Sequence, residues 1–232
     1  MNSLFHANSK EQVIYLIIVR IAITLLILPI HEFAHAWAAR RCGDDTAEAS
    51  GRLTFNPLSH VDPIGAILLI LTGFGWAKPV PINPNRMNNP RRGTILTSLA
   101  GPASNLIVAF LVFIILRVIS NIPIHSAAVY STLNIIAMML SMFVSINIGL
   151  AIFNLIPIPP LDGSKILMGF LPYRAIAVIT QYERIISFVF MILILSGSGI
   201  LNIPLGFLNN LVYKFFNFAT GWIDIIMNAI IG

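Results

Sequence analysis

The sequence predicts an all-α polytopic membrane protein with about four to six membrane segments and a short re-entrant, β-like element. Three observations predict this class: an apolar composition, recurrent long apolar runs, and a shorter apolar run inside a proline-rich connection. Of the 232 residues, 57% are hydrophobic and 10% are charged, whereas a soluble domain has about 25% charged residues. The chain has one cysteine, Cys42, which excludes an internal disulfide, so packing must hold the fold.

Five apolar runs are long enough for helices that cross a bilayer. They cover residues 13–39, 93–120, 127–156, 185–203 and 205–231. Lys214 and Asp224 interrupt the last run, so an interfacial amphipathic helix is an equal alternative to a span there. No internal repeat divides the chain, and one membrane domain is the simplest interpretation.

The connection over residues 40–92 has a different character. Asn-Pro and Asp-Pro pairs interrupt helices throughout it. Its apolar run at 64–76 is too short to span a bilayer, which favours a re-entrant or interfacial segment. Residues 73–81 (GFGWAKPVP) predict a short extended stretch. Because non-helical backbone at membrane depth survives only beside protein or water, a cavity is expected next to it.

Basic residues predict the orientation of the spans. The net charge is +5, but the basic residues flank apolar runs, which indicates membrane topology rather than a nucleic-acid partner. None lies at 121–126, so this connection is predicted to be external and the two basic regions cytoplasmic. Those two regions contain Arg40, Arg41, Arg52, Lys78, Arg86, Arg91 and Arg92, and then Lys165, Arg174 and Arg184.

Two histidines and a glutamate lie inside the first apolar run, in the stretch LPIHEFAH at 28–35. On a helix, His31 and His35 are one turn plus about 40° apart, so both imidazoles share a face. This spacing suits a tetrahedral zinc ion, and Glu32 can reach a water in the open position. The alternative is that the histidines only hydrogen-bond between helices. Ionisable residues inside a span are functional by default, which favours the metal.

Asp162 is the predicted third ligand that a zinc site of this kind needs. It lies in NLIPIPPLDG at 154–163, where three prolines prevent an α-helix and turn the chain so that Asp162 can point back. The alternative is that Asp162 caps a short helix over 163–170, and the two roles are compatible.

The stretch SLAGPASN in the second long run carries two packing signals. Asn105 is expected to hydrogen-bond between helices, and Gly101 to allow close helix approach.

HEFAH in one span, with NLIPIPPLDG at the end of a later one, resembles the site-2 protease family of intramembrane zinc metalloproteases. The chain is similar to its compact prokaryotic branch, which lacks a PDZ domain. The resemblance extends over about residues 28–163 and includes NPLSHVDPIG, GFGWAKPVPINP and SLAGPASN. It implies one zinc ion per chain on His31, His35 and Asp162, with Glu32 as the catalytic acid/base. The apolar runs and the absence of an internal repeat predict a single domain over 1–232, with a catalytic core at about 13–170 and C-terminal membrane segments at about 183–232.

The resemblance also implies further candidates around the site. Asn154 would position the substrate or stabilise the oxyanion, and Gly73, Phe74 and Gly75 would lie on a membrane-embedded β-like element. His60 is a candidate for a group that supports the ligands or lines the pocket, although loop histidines are more often solvated.

The activity that the resemblance implies is hydrolysis of peptide bonds within or near transmembrane segments, as in regulated intramembrane proteolysis. The substrates would be single-span membrane proteins or remnant signal peptides, in the cell membrane, with the active site toward the cytoplasmic side. The alternatives are a zinc-handling membrane transporter and a non-catalytic membrane scaffold. A transporter should carry acidic residues or histidines in several spans, whereas 93–156 contains only Arg117 and His125 as ionisable candidates. Glu32 argues against the scaffold. The oligomeric state is not predicted.

Overall fold

The structure is a computed structural model that describes residues 17–18, 20–72, 77–123, 126–196, 199 and 201–231. Four helices in it are long and apolar enough to cross a membrane: Arg20–Arg41, Pro90–Ser120, Val129–Asn154 and Tyr173–Ile194. Within the described ranges no strand forms, and Val61 and Ala77 make an isolated antiparallel bridge. The predicted all-α polytopic class is therefore confirmed.

Nine α-helices follow one another in the described part of the chain. They are α1 Leu28–Arg41, α2 Thr46–Ala49, α3 Pro57–His60, α4 Pro63–Thr72, α5 Pro90–Ser120, α6 Ala127–Asn154, α7 Asp162–Met168, α8 Tyr173–Leu195 and α9 Asn202–Ile231. A π-helical turn, Ile23–Ile27, leads into α1, and a 3₁₀ turn, Pro84–Arg86, precedes α5.

Some helices begin earlier than the apolar runs predict, because polar residues at their N-terminal ends are also helical. Asn89 caps α5 by accepting the N–H of Arg92 at 3.0 Å, so this helix begins at Pro90 rather than at 93. Helix α8 begins at Tyr173, well before the predicted start at 185, because it includes the polar stretch around Glu183. The last run forms α9, which is not among the four candidate spans.

The short apolar run forms the ten-residue helix α4. At 1.5 Å per residue its length is about 15 Å, half of the hydrocarbon thickness, so it is too short to span. The predicted extended stretch at 73–81 is described only from Ala77 onward, where the backbone is non-helical. Gly73, Phe74 and Gly75 lie outside the described residues.

Helix α5 is the centre of the fold, since it packs against α1, α6, α7 and α9. Its inner face joins the main apolar core, which consists of Ala109, Phe113, Val144, Ile148, Ile152 and Phe216. On its outer face Ile107, Leu111 and Ile115 are all more than half exposed. Apolar side chains at this spacing on the outside of a bundle suit contact with lipid rather than water.

The connection between α1 and α5 folds back against α1. Ala36 of α1 packs with Ala47 and Val80 in a second buried cluster. The buried Asp44 carboxylate accepts the N–H groups of Thr46 at 3.0 Å and Asn83 at 2.6 Å. These bonds hold the stretch around Val80 beside the HEFAH segment.

Candidate metal centre

His31 and His35 of α1 face Asp162, the first residue of α7. The Nε2 atoms of His31 and His35 lie 3.3 and 3.1 Å from Asp162 Oδ2, and 3.0 Å from each other. A tetrahedral zinc ion with bonds of about 2.0–2.1 Å separates its ligand atoms by roughly 3.3 Å. Among the described residues these three form the group that could hold a metal ion. The structure therefore brings together residues that the sequence places on separate helices.

The hydrogen bond behind His35 fixes which nitrogen faces the cluster. His35 Nδ1 lies 2.7 Å from the backbone carbonyl oxygen of Thr97. Because a carbonyl oxygen only accepts, Nδ1 carries the hydrogen, and in the neutral imidazole that binds a metal the lone pair of Nε2 points toward Asp162. Metal-binding histidines are commonly oriented by such a bond. A carboxylate and an imidazole lone pair that converge in a buried site fit a bound cation.

Gly101 lets α5 approach the two histidines. A Cβ atom at this position would lie 2.4 Å from His35 Nε2 and 2.6 Å from His31 Cε1. No side chain larger than hydrogen fits without displacing the rings. The close helix approach expected at Gly101 is therefore observed, and it occurs at the cluster itself.

Asp162 reaches the cluster because the chain turns between α6 and α7. Leu161 occupies the N-cap position of α7, no side-chain capping bond forms there, and Asp162 is the first residue of the helix. The carboxylate points instead to the histidines, with Lys165 Nζ at 3.9 Å from its other oxygen. Gly163 allows the turn to close, since a Cβ there would lie 2.3 Å from the Leu155 carbonyl oxygen. The capping alternative for Asp162 is therefore not observed.

Glu32 contacts the neighbouring extended stretch. Its Oε2 accepts the backbone N–H of Val80 at 3.2 Å. The N–H of Lys78 is donated to the His60 carbonyl at 2.8 Å, and Pro79 and Pro81 have no N–H. Every backbone donor from Lys78 to Pro81 is thus absent or engaged. A strand that paired with this stretch would have to displace the bond between Val80 and Glu32.

Neither Asn154 nor His60 has a side-chain hydrogen bond to the cluster. Asn154 donates its side-chain N–H to the Leu150 carbonyl of its own helix at 3.0 Å. His60 is fully buried rather than solvated, and its Nε2 donates to the Thr54 carbonyl at 2.8 Å. Its backbone carbonyl holds Lys78, so the observed contacts of His60 support the extended stretch. The Thr97 carbonyl was missed by sequence reasoning, because a backbone acceptor has no sequence signal.

A buried His-His-Asp cluster between the helices of a polytopic chain defines a membrane protein with an embedded metal centre. Residues 19–197 match the family model described as Peptidase family M50. The chain therefore belongs to that family, the site-2 proteases, and is a membrane metallopeptidase whose metal is zinc.

Curated relatives carry names of the same kind. The chain is 41% identical over 180 residues to "Putative zinc metalloprotease YwhC" of Bacillus subtilis (strain 168), covering 77% of this chain and 81% of that protein. It is 32% identical over 203 residues to "Putative zinc metalloprotease Rip2" of Mycolicibacterium smegmatis, covering 84% of this chain and 71% of the relative. No solved structure matches the chain at a significant level.

Proposed function

We propose that the protein is a zinc metalloendopeptidase of the HExxH type that cleaves peptide bonds within or near transmembrane segments of other membrane proteins. The observation that carries this proposal is the convergence of His31, His35 and Asp162 next to Glu32. The cluster is buried, and α1 belongs to a helix apolar enough to cross a membrane. The substrate bond would therefore be cleaved at a site built between membrane helices.

Each polar residue has a distinct role in this proposal. When bound, zinc supplies a Lewis acid that polarises the scissile carbonyl and acidifies water. Glu32 is the general base that takes a proton from the attacking water and returns it to the leaving amine nitrogen. His31, His35 and Asp162 hold the metal, and the Val80 N–H orients the Glu32 carboxylate. Asn154 would stabilise the oxyanion once its amide leaves the Leu150 carbonyl.

The proposed substrates are single-span membrane proteins or remnant signal peptides. A peptide bond in a regular helix has its N–H and C=O tied into helical bonds, so cleavage requires local unwinding. In hydrocarbon each unmet polar group costs several kcal/mol. Gly, Pro or Asn near the cut would lower that cost, because these residues weaken a helix. We expect that replacing them with Leu slows cleavage by the purified enzyme in vesicles, and equal rates would exclude unwinding as the limiting step.

The proposed location is the cell membrane, as a multi-pass protein with the active site toward the cytoplasmic side. This orientation is supported by basic residues at the C-terminal end of α1 and at the start of α5, since basic residues concentrate on the cytoplasmic side of a membrane protein. Reporter fusions after Arg92 and after Phe170 should behave as cytoplasmic, and one after Pro123 as external. A cytoplasmic signal at Pro123 would contradict the assignment.

The decisive experiment separates metal binding from chemistry. The purified wild type should hold about one zinc per chain, and Glu32→Gln should keep it while losing cleavage of a single-span substrate. His31→Ala and Asp162→Ala should lose zinc as well. Glu183→Gln on the exposed surface of α8 is the matched control and should change neither. Full zinc retention in Asp162→Ala, or cleavage by Glu32→Gln, would refute the assigned roles, and a zinc-loaded wild type without peptidase activity would favour the scaffold.

A further inference from the structure

Three side chains near the metal centre keep polar atoms without hydrogen-bond partners among the described residues. These atoms are His31 Nδ1, Thr97 Oγ1, and the side-chain oxygen and nitrogen of Asn105. Asn105 lies on α5 and is 1% exposed. A buried carboxamide with no partner is destabilising, so a native structure that keeps one has a reason to do so. The expectation that Asn105 bonds between helices is thus unmet by the described contacts.

The helix geometry brings the side chains of His31 and Asn105 toward each other. Thr97 contacts His35, and Gly101, one turn further along α5, contacts both histidines. The helices therefore run in opposite directions here, and the next turn of α5 after Gly101 carries Asn105. Each Cα–Cβ bond tilts toward the N-terminus of its helix. Asn105 consequently leans back toward Gly101, while His31 leans toward the level of Asn105.

The two histidines differ in what fixes their tautomers. The Thr97 carbonyl holds the hydrogen of His35 on Nδ1. No described group does this for His31. Without such a partner, the hydrogen of His31 would lie on Nε2 for part of the time, where it would face Asp162 and oppose a metal ion. Ligand histidines generally donate the remaining N–H to an oxygen. The side-chain oxygen of Asn105 is an acceptor without a partner among the described residues.

We propose that Asn105 is a positioning residue of the metal centre. Its carboxamide oxygen accepts a hydrogen bond from Nδ1–H of His31, directly in the zinc-bound protein or through one water molecule. The lone pair of His31 Nε2 is thereby kept toward zinc. This inference rests on the proposed function only in taking His31 as a ligand, and it does not require peptide hydrolysis.

The test is zinc affinity in detergent micelles, measured by competition with a chromogenic chelator. Asn105→Leu keeps the volume and removes the acceptor, and it should weaken zinc binding by about 10–100-fold. Asn105→Asp keeps an oxygen acceptor, so its zinc affinity should stay within about threefold of the wild-type value, a much smaller change than that expected for Asn105→Leu. The matched control is Asn147→Leu, since Asn147 is also 1% exposed but donates to the Phe143 carbonyl of its own helix at 2.9 Å. This control should bind zinc like the wild type.

A second readout is the visible spectrum of the cobalt-substituted protein, which reports ligand geometry. It should change in Asn105→Leu and not in Asn147→Leu. In a His31→Ala background, Asn105→Leu should have no further effect on zinc affinity. Unchanged affinity in Asn105→Leu, or an equal loss in Asn147→Leu, overturns the proposal.

Two further outcomes are informative. If Asn105→Leu does not fold, Asn105→Asp decides, and a loss beyond tenfold in that variant overturns the proposal, because the acceptor oxygen is still present. Undiminished zinc binding in His31→Ala would instead overturn the proposed ligand set. The two failures are therefore distinguishable.

Discussion

Replacing Gly101 by alanine tests the packing of α5 against the metal centre. In an ordinary helix this change stabilises the helix by up to about 1 kcal/mol, because glycine is the weaker helix former. Here the new Cβ would lie 2.4 Å from His35 Nε2 and 2.6 Å from His31 Cε1. We therefore expect Gly101→Ala to weaken zinc binding, although alanine by itself favours the helix.

The size of the effect follows from the contact distances. An ordinary van der Waals contact of this kind is 3.4–4 Å, so the rings or the helices must separate by about 1 Å. Metal sites tolerate about 0.2 Å, and overpacking a well-packed interior costs typically 1–3 kcal/mol. At 1.4 kcal/mol for each factor of ten, the zinc affinity should fall by roughly 5- to 150-fold.

The assay compares Gly101→Ala with Gly149→Ala, using chelator competition for zinc and thermal unfolding in detergent. Gly149 lies on α6, and a Cβ there would meet no atom within 4 Å. It therefore reports the propensity effect alone. We expect Gly149→Ala to hold zinc like the wild type and to melt at an equal or higher temperature.

Wild-type zinc affinity and melting temperature in Gly101→Ala would refute the reasoning. That result would mean that α5 does not lie against the histidines at the distance that the structure gives. A loss of zinc binding in Gly149→Ala would show that the measured effect comes from helix substitution in general.

Three other predictions concern pH, an ion pair and the metal. Burial acts to raise the pKa of Asp44, but hydrogen bonds from Thr46 and Asn83 outweigh it and hold that pKa below its usual range. The stabilisation by Asp44 is therefore present above about pH 3.9 and lost as the pH falls through the lower, folded-state pKa. In acid titrations of the melting temperature, Asp44→Asn should melt lower than the wild type at neutral pH. Its melting temperature should also fall less than that of the wild type below about pH 4. Arg117 Nε donates a hydrogen bond to Asp224 Oδ1 at 2.9 Å, so Asp224→Asn should lower the melting temperature and make α9 more sensitive to protease, with Lys214→Gln as the control. Excess chelator should lower the melting temperature of the wild type but not of His31→Ala, since a ligand at 100 times its Kd contributes about 2.7 kcal/mol.

The class and the three converging residues could be predicted because both depend on local patterns. Hydropathy summed over a long run identifies a membrane segment whatever its neighbours are. The spacing of His31 and His35 fixes a common helix face by helical geometry alone. Asp162 could be predicted because the prolines before it limit the backbone. Helix ends were less predictable, since the start of α8 at Tyr173 lies among polar residues that no apolar run includes.

The sequence by itself thus determined the membrane class and the common helix face of His31 and His35, and it predicted Asp162 as the third member of the cluster. The tertiary structure alone decided that Asp162 faces both imidazoles, that the Thr97 carbonyl fixes the tautomer of His35, and that Glu32 holds Val80. The physical reason is that these contacts depend on the register between packed helices and on backbone groups, which are the same in every residue and leave no mark in the sequence.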